Sequence, residues 1–355
     1  MAATKSQLKF PSSATKLLKW FDQFGRHDLP WQLDVTAYRV WVSEIMLQQT
    51  QVATVIPYFT RFMQSFPDVK KLAAADENTV LSHWTGLGYY ARARNLHKTA
   101  KLIVNDYHSS FPESVAELEE LPGIGRSTAG AIISLALNKR APILDGNVKR
   151  VFTRVLALNE WPGEKAAHEK LWRLAEALLP QERVNDYNQA LMDLGATLCT
   201  RSKPNCEKCP WQSFCAAHAE GNPAKYPVKK PSKTKPHKST FMLLLKNARG
   251  EILLEKRPAS GIWGGLWSFP QISDETEIEK VCRAQFACKI SQIKKGKPVK
   301  HVFSHYTLNI QPIKARASLL KNICLEAPQQ IWYNPSQELP GGLAAPVLKL
   351  LQEYL

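Results

Sequence analysis

Nothing in this chain of 355 residues is apolar for long enough to cross a bilayer, which excludes a membrane-spanning helix. The first ten residues, Met-Ala-Ala-Thr-Lys-Ser-Gln-Leu-Lys-Phe, lack the apolar core of a secretory signal, so export is not expected. No internal repeat is present, which excludes a solenoid or propeller. Acidic residues are scarce: 31 Asp and Glu stand against 47 Lys and Arg, a formal charge of +16. Such a balance points to nucleic acid or another anionic surface, with plain solubility as the alternative. Cysteines are few and odd in number, seven, yet four lie between positions 199 and 215. In a chain with no export signal, that clustering indicates metal ligation in a reducing compartment rather than disulfides.

What is present divides by pattern. Residues 11–198 carry apolar residues almost wholly at helical spacing. Ser13 is a candidate cap for a first helix that Gly25 ends, and a second helix is expected from Tyr38 to Val52, with Gln48-Gln49-Thr50-Gln51 on it. Asp76 is placed to cap a helix broken by Gly86 and Gly88, and Ser114 with Glu117 forms a capping box. Further helices are expected around 147–158, 164–179 and 184–198. Residues 225–238 hold six lysines, three prolines and no acid, the composition of an extended linker that can lie along phosphates. Beyond it the period becomes strand-like: 240–245 and 251–255 flank a turn at Asn247-Ala248-Arg249-Gly250. A helix is expected at 275–286, strands within 299–313 and a helix at 343–351. That is a small α+β domain.

The stretch with the densest chemistry is 121–150. Pro122, Gly123 and Gly125 make a tight turn before a helix, leaving amides free to meet a phosphate. Asp145 follows, just before another helix start at Asn147. Glu44 sits among Val40, Trp41, Val42, Ile45, Met46 and Leu47. A carboxyl in an apolar wall has its pKa raised and can donate a proton near neutral pH, whereas a Glu on a solvated helix face would not. Amide side chains at 48, 49 and 51 can bond to base edges, or simply form a polar face. Gly86-Leu87-Gly88-Tyr89-Tyr90-Ala91-Arg92 joins a flexible turn to aromatics and cations, a set able to wedge between bases. Cys199, Cys206, Cys209 and Cys215 can close on one soft metal centre, with zinc and iron–sulfur both open on spacing alone.

Taken together, Leu29-Pro30-Trp31, residues 43–52, residues 86–92, Leu121 to Gly130, Ile143 to Val148 and the four cysteines resemble the helix–hairpin–helix DNA glycosylases, closely those of the adenine-specific MutY type. Residues 264–270 and Phe303-Ser304-His305 resemble that family's Nudix-like module. The resemblance implies a multidomain protein. An all-α glycosylase domain would occupy 1–224, with its helix–hairpin–helix at 121–147 and an iron–sulfur loop at 199–215. A basic linker at 225–238 and a small α+β Nudix-like domain at 239–355 would follow. It further implies a 4Fe–4S cluster on the four cysteines, Glu44 as proton donor to a flipped adenine, and Asp145 as stabiliser of the sugar cation, supported by Asn147. Trp31 and Gln189 would line the adenine pocket. Gln49, Leu87 and Tyr89 would wedge beside the opposite base, Ser304 would read 8-oxoguanine, and Gly123, Gly125 and Ser127 would meet phosphate.

Two departures carry weight. Position 127 is serine where strand-cutting relatives of the endonuclease III type have the lysine that forms a Schiff base, so a monofunctional enzyme is expected. The segment after Pro270 lacks the acidic box of Nudix hydrolases, so base recognition rather than nucleotide hydrolysis is expected there. The expectation is thus a monomeric, cytoplasmic, nucleoid-associated bacterial hydrolase of base excision repair. It would remove adenine opposite 8-oxoguanine or guanine in duplex DNA, without a membrane. The competing readings are a pyrimidine-damage glycosylase with lyase activity and a non-catalytic DNA-binding protein.

Overall fold

The computed structural model describes residues 12–230, 234–303, 305–320 and 329–354. Contacts divide the chain into two units, Met1–Ala73 with Lys98–Pro231 and Ala74–His97 with Ser232–Leu355. Residues 74–97 therefore group with the C-terminal residues rather than with the helices that flank them in sequence.

The first unit is helical. It contains α1 (Ser13–Phe24), α2 (Ala37–Leu47), α3 (Val52–Ser65) and most of α4 (Val69–Ala74), and resumes after the short α5 (Glu77–His83) within α6 (Ala91–Asp106). Then come α7 (Val115–Glu119), α8 (Arg126–Ala131), α9 (Gly146–Val155), α10 (Lys165–Leu178), α11 (Val184–Asp193) and α12 (Ala216–Ala219). Leu17, Trp20, Phe21, Val148, Phe152, Leu171, Tyr187 and Trp211 form one buried core, set there by the helical spacing of apolar side chains. The helices after α8 and α11 widen into π turns, Ile132–Ala136 and Leu194–Leu198. Such turns insert an extra residue without ending the helix, and they often sit beside functional sites.

Local expectations are corrected at two places. Ser13 is the buried first residue of α1 and not its cap; Ser12 holds the cap position, though its side chain does not cap the helix. Helix α2 ends at Leu47, so the amides 48–51 lie in a turn and not on it. The chain reverses there because Gln49 adopts φ 59°, the left-handed region that breaks a right-handed helix. Asp76 and Ser114 do cap α5 and α7, accepting from Asn78 N and Glu117 N.

The second unit is built on a mixed sheet of eight strands: β1 (His237–Lys246), β2 (Ile252–Lys256), β3 (Trp267–Ser268), β4 (Gln271–Ile272), β5 (Cys288–Lys295), β6 (Val299–Val302), β7 (Thr307–Leu319) and β8 (Gln330–Tyr333). β1 and β7 run parallel with Leu243 opposite Ile313, and the remaining pairs are antiparallel. The expected hairpin forms, with Lys246 opposite Ile252. His237 and Lys238, read from composition as linker, already belong to β1. Helix α13 (Ile278–Phe286) packs Cys282 and Phe286 onto Leu243, Leu245 and Ile313, and α14 (Ala345–Tyr354) ends the unit. Within this unit the Tyr90 hydroxyl donates to Leu343 O at 2.9 Å, and Arg94 donates to Gly264 O. Among the described residues, no helix is long and apolar enough to cross a membrane.

Candidate active site

One cavity of about 1340 Å³ opens in the helical unit, and Trp31, Glu44, Gln49, Ser127, Asp145, Asn147 and Gln189 all line it. Seven residues separated by up to 158 positions in the chain thus meet at one surface. Helix α2 contributes Glu44, whose neighbours Trp41, Val42, Ile45 and Met46 are buried. Burial, reinforced by the negative charge of Asp145, pushes the Glu44 carboxyl up to about 8. It therefore carries its proton at neutral pH.

Asp145 has the opposite equipment. It caps α9, Oδ1 accepting from Val148 N at 2.7 Å and Oδ2 from Asn147 Nδ2 at 3.1 Å. Burial raises its pKa, but those two donors and the Arg150 guanidinium act against the rise by favouring the anion. Two carboxyls near each other do not both ionise readily. No donor among the described residues counters the rise at Glu44, so of the two it is the one that holds its proton at neutral pH.

Asn147 is itself held: its Oδ1 accepts from Arg150 Nη2 at 2.9 Å, and the same guanidinium donates to Gly195 O at 2.6 Å and Cys199 O at 2.8 Å. Gly195 has no side chain because none fits; a Cβ there would lie 2.6 Å from Asn147 Cβ. Ser127, expected at phosphate, accepts from Leu144 N at 3.0 Å and so ties α8 to the residue before Asp145. Gly123 turns the preceding loop at φ 83° and Gly125 caps α8, as the turn motif requires. Trp31 is buried edge-on against Phe59 at 5.5 Å.

The other expected contacts are elsewhere. In the second unit Leu87 is buried, while Tyr89 is half exposed at φ 48° with Arg92 over its ring at 5.8 Å. Arg92 also donates to Leu87 O and Gly88 O at 3.2 and 3.1 Å, so this loop is braced. Ser304 lies outside the described residues; its neighbours Phe303 and His305 belong to an aromatic group with His301, Trp263 and Tyr306.

Residues 42–177 match the HhH-GPD superfamily base excision DNA repair protein, residues 199–215 the iron-sulfur binding domain of endonuclease III and residues 241–353 the NUDIX domain. The adenine DNA glycosylase of Buchnera aphidicola (subspecies Acyrthosiphon pisum) is 39% identical over 338 residues, covering 95% of this chain and 96% of the relative. The mouse adenine DNA glycosylase is 36% identical, over 84% of this chain and 69% of the relative. The chain belongs to the adenine DNA glycosylase family. It is an enzyme of base excision repair, a hydrolase acting on N-glycosyl bonds of DNA. A thermostable thymine-DNA glycosylase of known structure shares the helical fold, with TM-score 0.54 and 28% identity over 58% of this chain and 95% of its own.

The four cysteines of this glycosylase fit the iron–sulfur centre that its cysteine motif names. Burial raises the thiol pKa of Cys209 to about 12, and Cys199, Cys215 and Cys206 each add to the rise. Cys206 and Cys215 are raised in the same way, by burial and by Cys199. These mutual effects place the thiols within electrostatic reach of one another, and a cationic inorganic core would offset their repulsion as thiolates. Arg154, 1% exposed, braces the loop, donating to Cys199 Sγ at 3.2 Å, Thr200 O at 2.8 Å, Arg201 O at 2.9 Å and Tyr226 O at 3.1 Å.

Sequence reading missed Arg26, Arg150, Arg154 and Asp193. Arg150 and Arg154 are spaced i, i+4 among apolar residues of α9, and Asp193 is flanked by Met192 and Leu194. A charge inside an apolar helix face was the available signal.

Proposed function

We propose that this enzyme removes adenine paired with 8-oxoguanine, or with guanine, after extruding the adenine from duplex DNA into the cavity between Glu44 and Asp145. The observation that carries the reading is the meeting of these two acids in one cavity, Glu44 raised to about 8 by burial and by the charge of Asp145, and Asp145 held by the Val148 and Asn147 donors, which favour its anion. Extrusion is required because the glycosidic bond is inaccessible within a stacked duplex. Glu44 donates its proton to a ring nitrogen of the base. The C1′–N9 bond then breaks with its electron pair on the base. Asp145, oriented by Val148 N–H and Asn147, stabilises the cationic sugar until water adds at C1′ and returns a proton to Glu44.

Trp31 and Gln189 line the base pocket in this reading. Gln49, Leu87 and Tyr89 contact the duplex beside the extruded nucleotide. Left-handed backbone at Gln49 and Tyr89, strained for residues other than glycine, supports assigning them a function. Gly123 and Gly125 leave backbone amides free for phosphate, while Ser127 serves the site through Leu144. No lysine stands at 127, which supports base removal without strand cleavage. Cys199, Cys206, Cys209 and Cys215 would hold a 4Fe–4S cluster, which when bound supplies a rigid scaffold for the basic loops at Arg201, Lys203 and Lys208. Residues 239–355, with Ser304, are assigned to recognition of 8-oxoguanine, 225–238 to the linker and 1–224 to catalysis, in a monomer acting in the bacterial cytoplasm.

Single-turnover excision from duplexes carrying A·8-oxoguanine, A·G and A·T pairs tests the reading. Release of adenine from the first two, with no adduct trapped by borohydride, is expected. A trapped adduct, or release of oxidised pyrimidine in place of adenine, would overturn it.

A further inference from the structure

The most completely bonded ion pair of the helical unit touches none of the reacting atoms. Asp193 is fully buried at the end of α11, where Oδ2 accepts from Arg26 N at 2.7 Å and Oδ1 from Arg26 Nε at 2.9 Å and Nη2 at 2.5 Å. Oδ1 accepts one more bond, from Gln189 Nε2 at 2.9 Å. Gln189 lies one turn earlier on α11 and lines the cavity. Arg26 is fixed in turn by Gln32, whose Nε2 donates to Arg26 O at 2.9 Å and whose Oε1 accepts from Leu29 N at 3.0 Å. The pair thus joins the loop that leads to Trp31 to Gln189 on α11, both of which line the cavity.

We propose that Arg26 and Asp193 are positioning residues that lock the Gln189 amide with its oxygen toward the extruded base, and so make the pocket select a purine bearing an amino group at C6. The chemistry leaves one orientation. A carboxylate only accepts hydrogen bonds, so the amide must turn its NH₂ toward Asp193, and the reverse would set oxygen against oxygen. Gln189 Oε1 is bonded to no donor among the described residues. It is an acceptor of fixed direction in the pocket wall. The C6 amino group of adenine satisfies it; a C6 carbonyl, as in hypoxanthine or guanine, meets it with a second acceptor. A site built to bond one polar group rejects the analogue that cannot pair with it, because a buried group is then left without its partner. Without the carboxylate the amide can rotate and the selection is lost.

This inference rests on the adenine-pocket reading above, and the test separates the two. Single-turnover rates on the full-length protein are compared for adenine and hypoxanthine in otherwise identical duplexes, with thermal unfolding as a check on folding. In the wild type adenine is preferred. In Asp193→Asn, which can offer an NH₂ to the amide and so release it, the adenine-to-hypoxanthine ratio is expected to fall by about tenfold or more. If Asp193→Asn does not fold, Gln189→Met carries the test, since it removes the acceptor and leaves the Arg26 pair in place; the same fall is expected. Equal losses for both bases, with the ratio unchanged, would show a role in stability alone and overturn the proposal. A wild type that releases neither base, or both without preference, would instead defeat the pocket reading itself.

Discussion

Replacing Glu44 by glutamine should make the protein more stable and nearly inactive, and the gain in stability should depend on pH. The carboxyl goes from 4.5 in the ordinary state to about 8 in the folded one, through burial and the charge of Asp145. Because the folded pKa is the higher, the folded state binds the proton more tightly, and stability is greatest below pH 4.5 and declines as pH rises toward 8. At 1.36 kcal/mol per unit, this decline amounts to about 3 kcal/mol at pH 7 and about 1 kcal/mol at pH 5. Glutamine does not titrate. Its advantage over wild type, measured by denaturant unfolding, should therefore be about 2 kcal/mol larger at pH 7 than at pH 5. In single-turnover excision the wild-type rate should be level below pH 8 and fall about tenfold per unit above it, while Glu44→Gln should lose about 10²- to 10⁴-fold. An unchanged stability difference between the two pH values would refute the buried acid. A rate that stays level through pH 10, or a fully active variant, would refute its use as proton donor.

Three other perturbations follow from contacts already described. Asp145→Asn keeps an acceptor for Val148 N–H, so unfolding should shift by less than about 1 kcal/mol while excision drops at least about a hundredfold; a large loss of stability would show that the charge was needed for the cap. Arg154→Met leaves the carbonyls of Thr200, Arg201 and Tyr226 without their donor, at about 1–3 kcal/mol each, and should deplete iron and visible absorbance in the purified protein. Full iron content in that variant would contradict the brace. Gly195→Ala forces a methyl against Asn147, costing about 1–3 kcal/mol, and should slow excision more than it weakens DNA binding as measured by titration.

How far the site was legible depends on the distance over which each part is determined. Asp145 declares itself locally, through a short apolar stretch and a helix start within a few residues. Glu44 stands out because its neighbours are apolar, although sequence left a solvated face equally open until the cavity wall was seen. The turn at 48–51 was invisible for a physical reason: glutamine is a fair helix former, so no breaker marks the end of α2, and the left-handed Gln49 announces nothing in composition. The π turns are hidden likewise, since the run from Arg126 to Leu137 keeps helical apolar spacing while accommodating one residue more per turn. Arg26 and Asp193, 167 positions apart, could not be paired by any local rule. Serine at 127 was visible, but its bond to Leu144 N needed the folded chain.

The double use of Asp145 ties a chemical group to an observable amide. Its Oδ1 is the acceptor for Val148 N–H, so that proton exchanges with solvent only when the carboxylate leaves the cap or α9 opens. Hydrogen exchange at this one amide therefore reports, with no substrate and no turnover, how firmly the Asp145 carboxylate and the start of α9 are held in the arrangement proposed for catalysis. Variants remote from the cavity can be sorted by it. Those that hasten exchange at Val148 act by loosening the reactive geometry, and those that leave it slow act on DNA capture or on release.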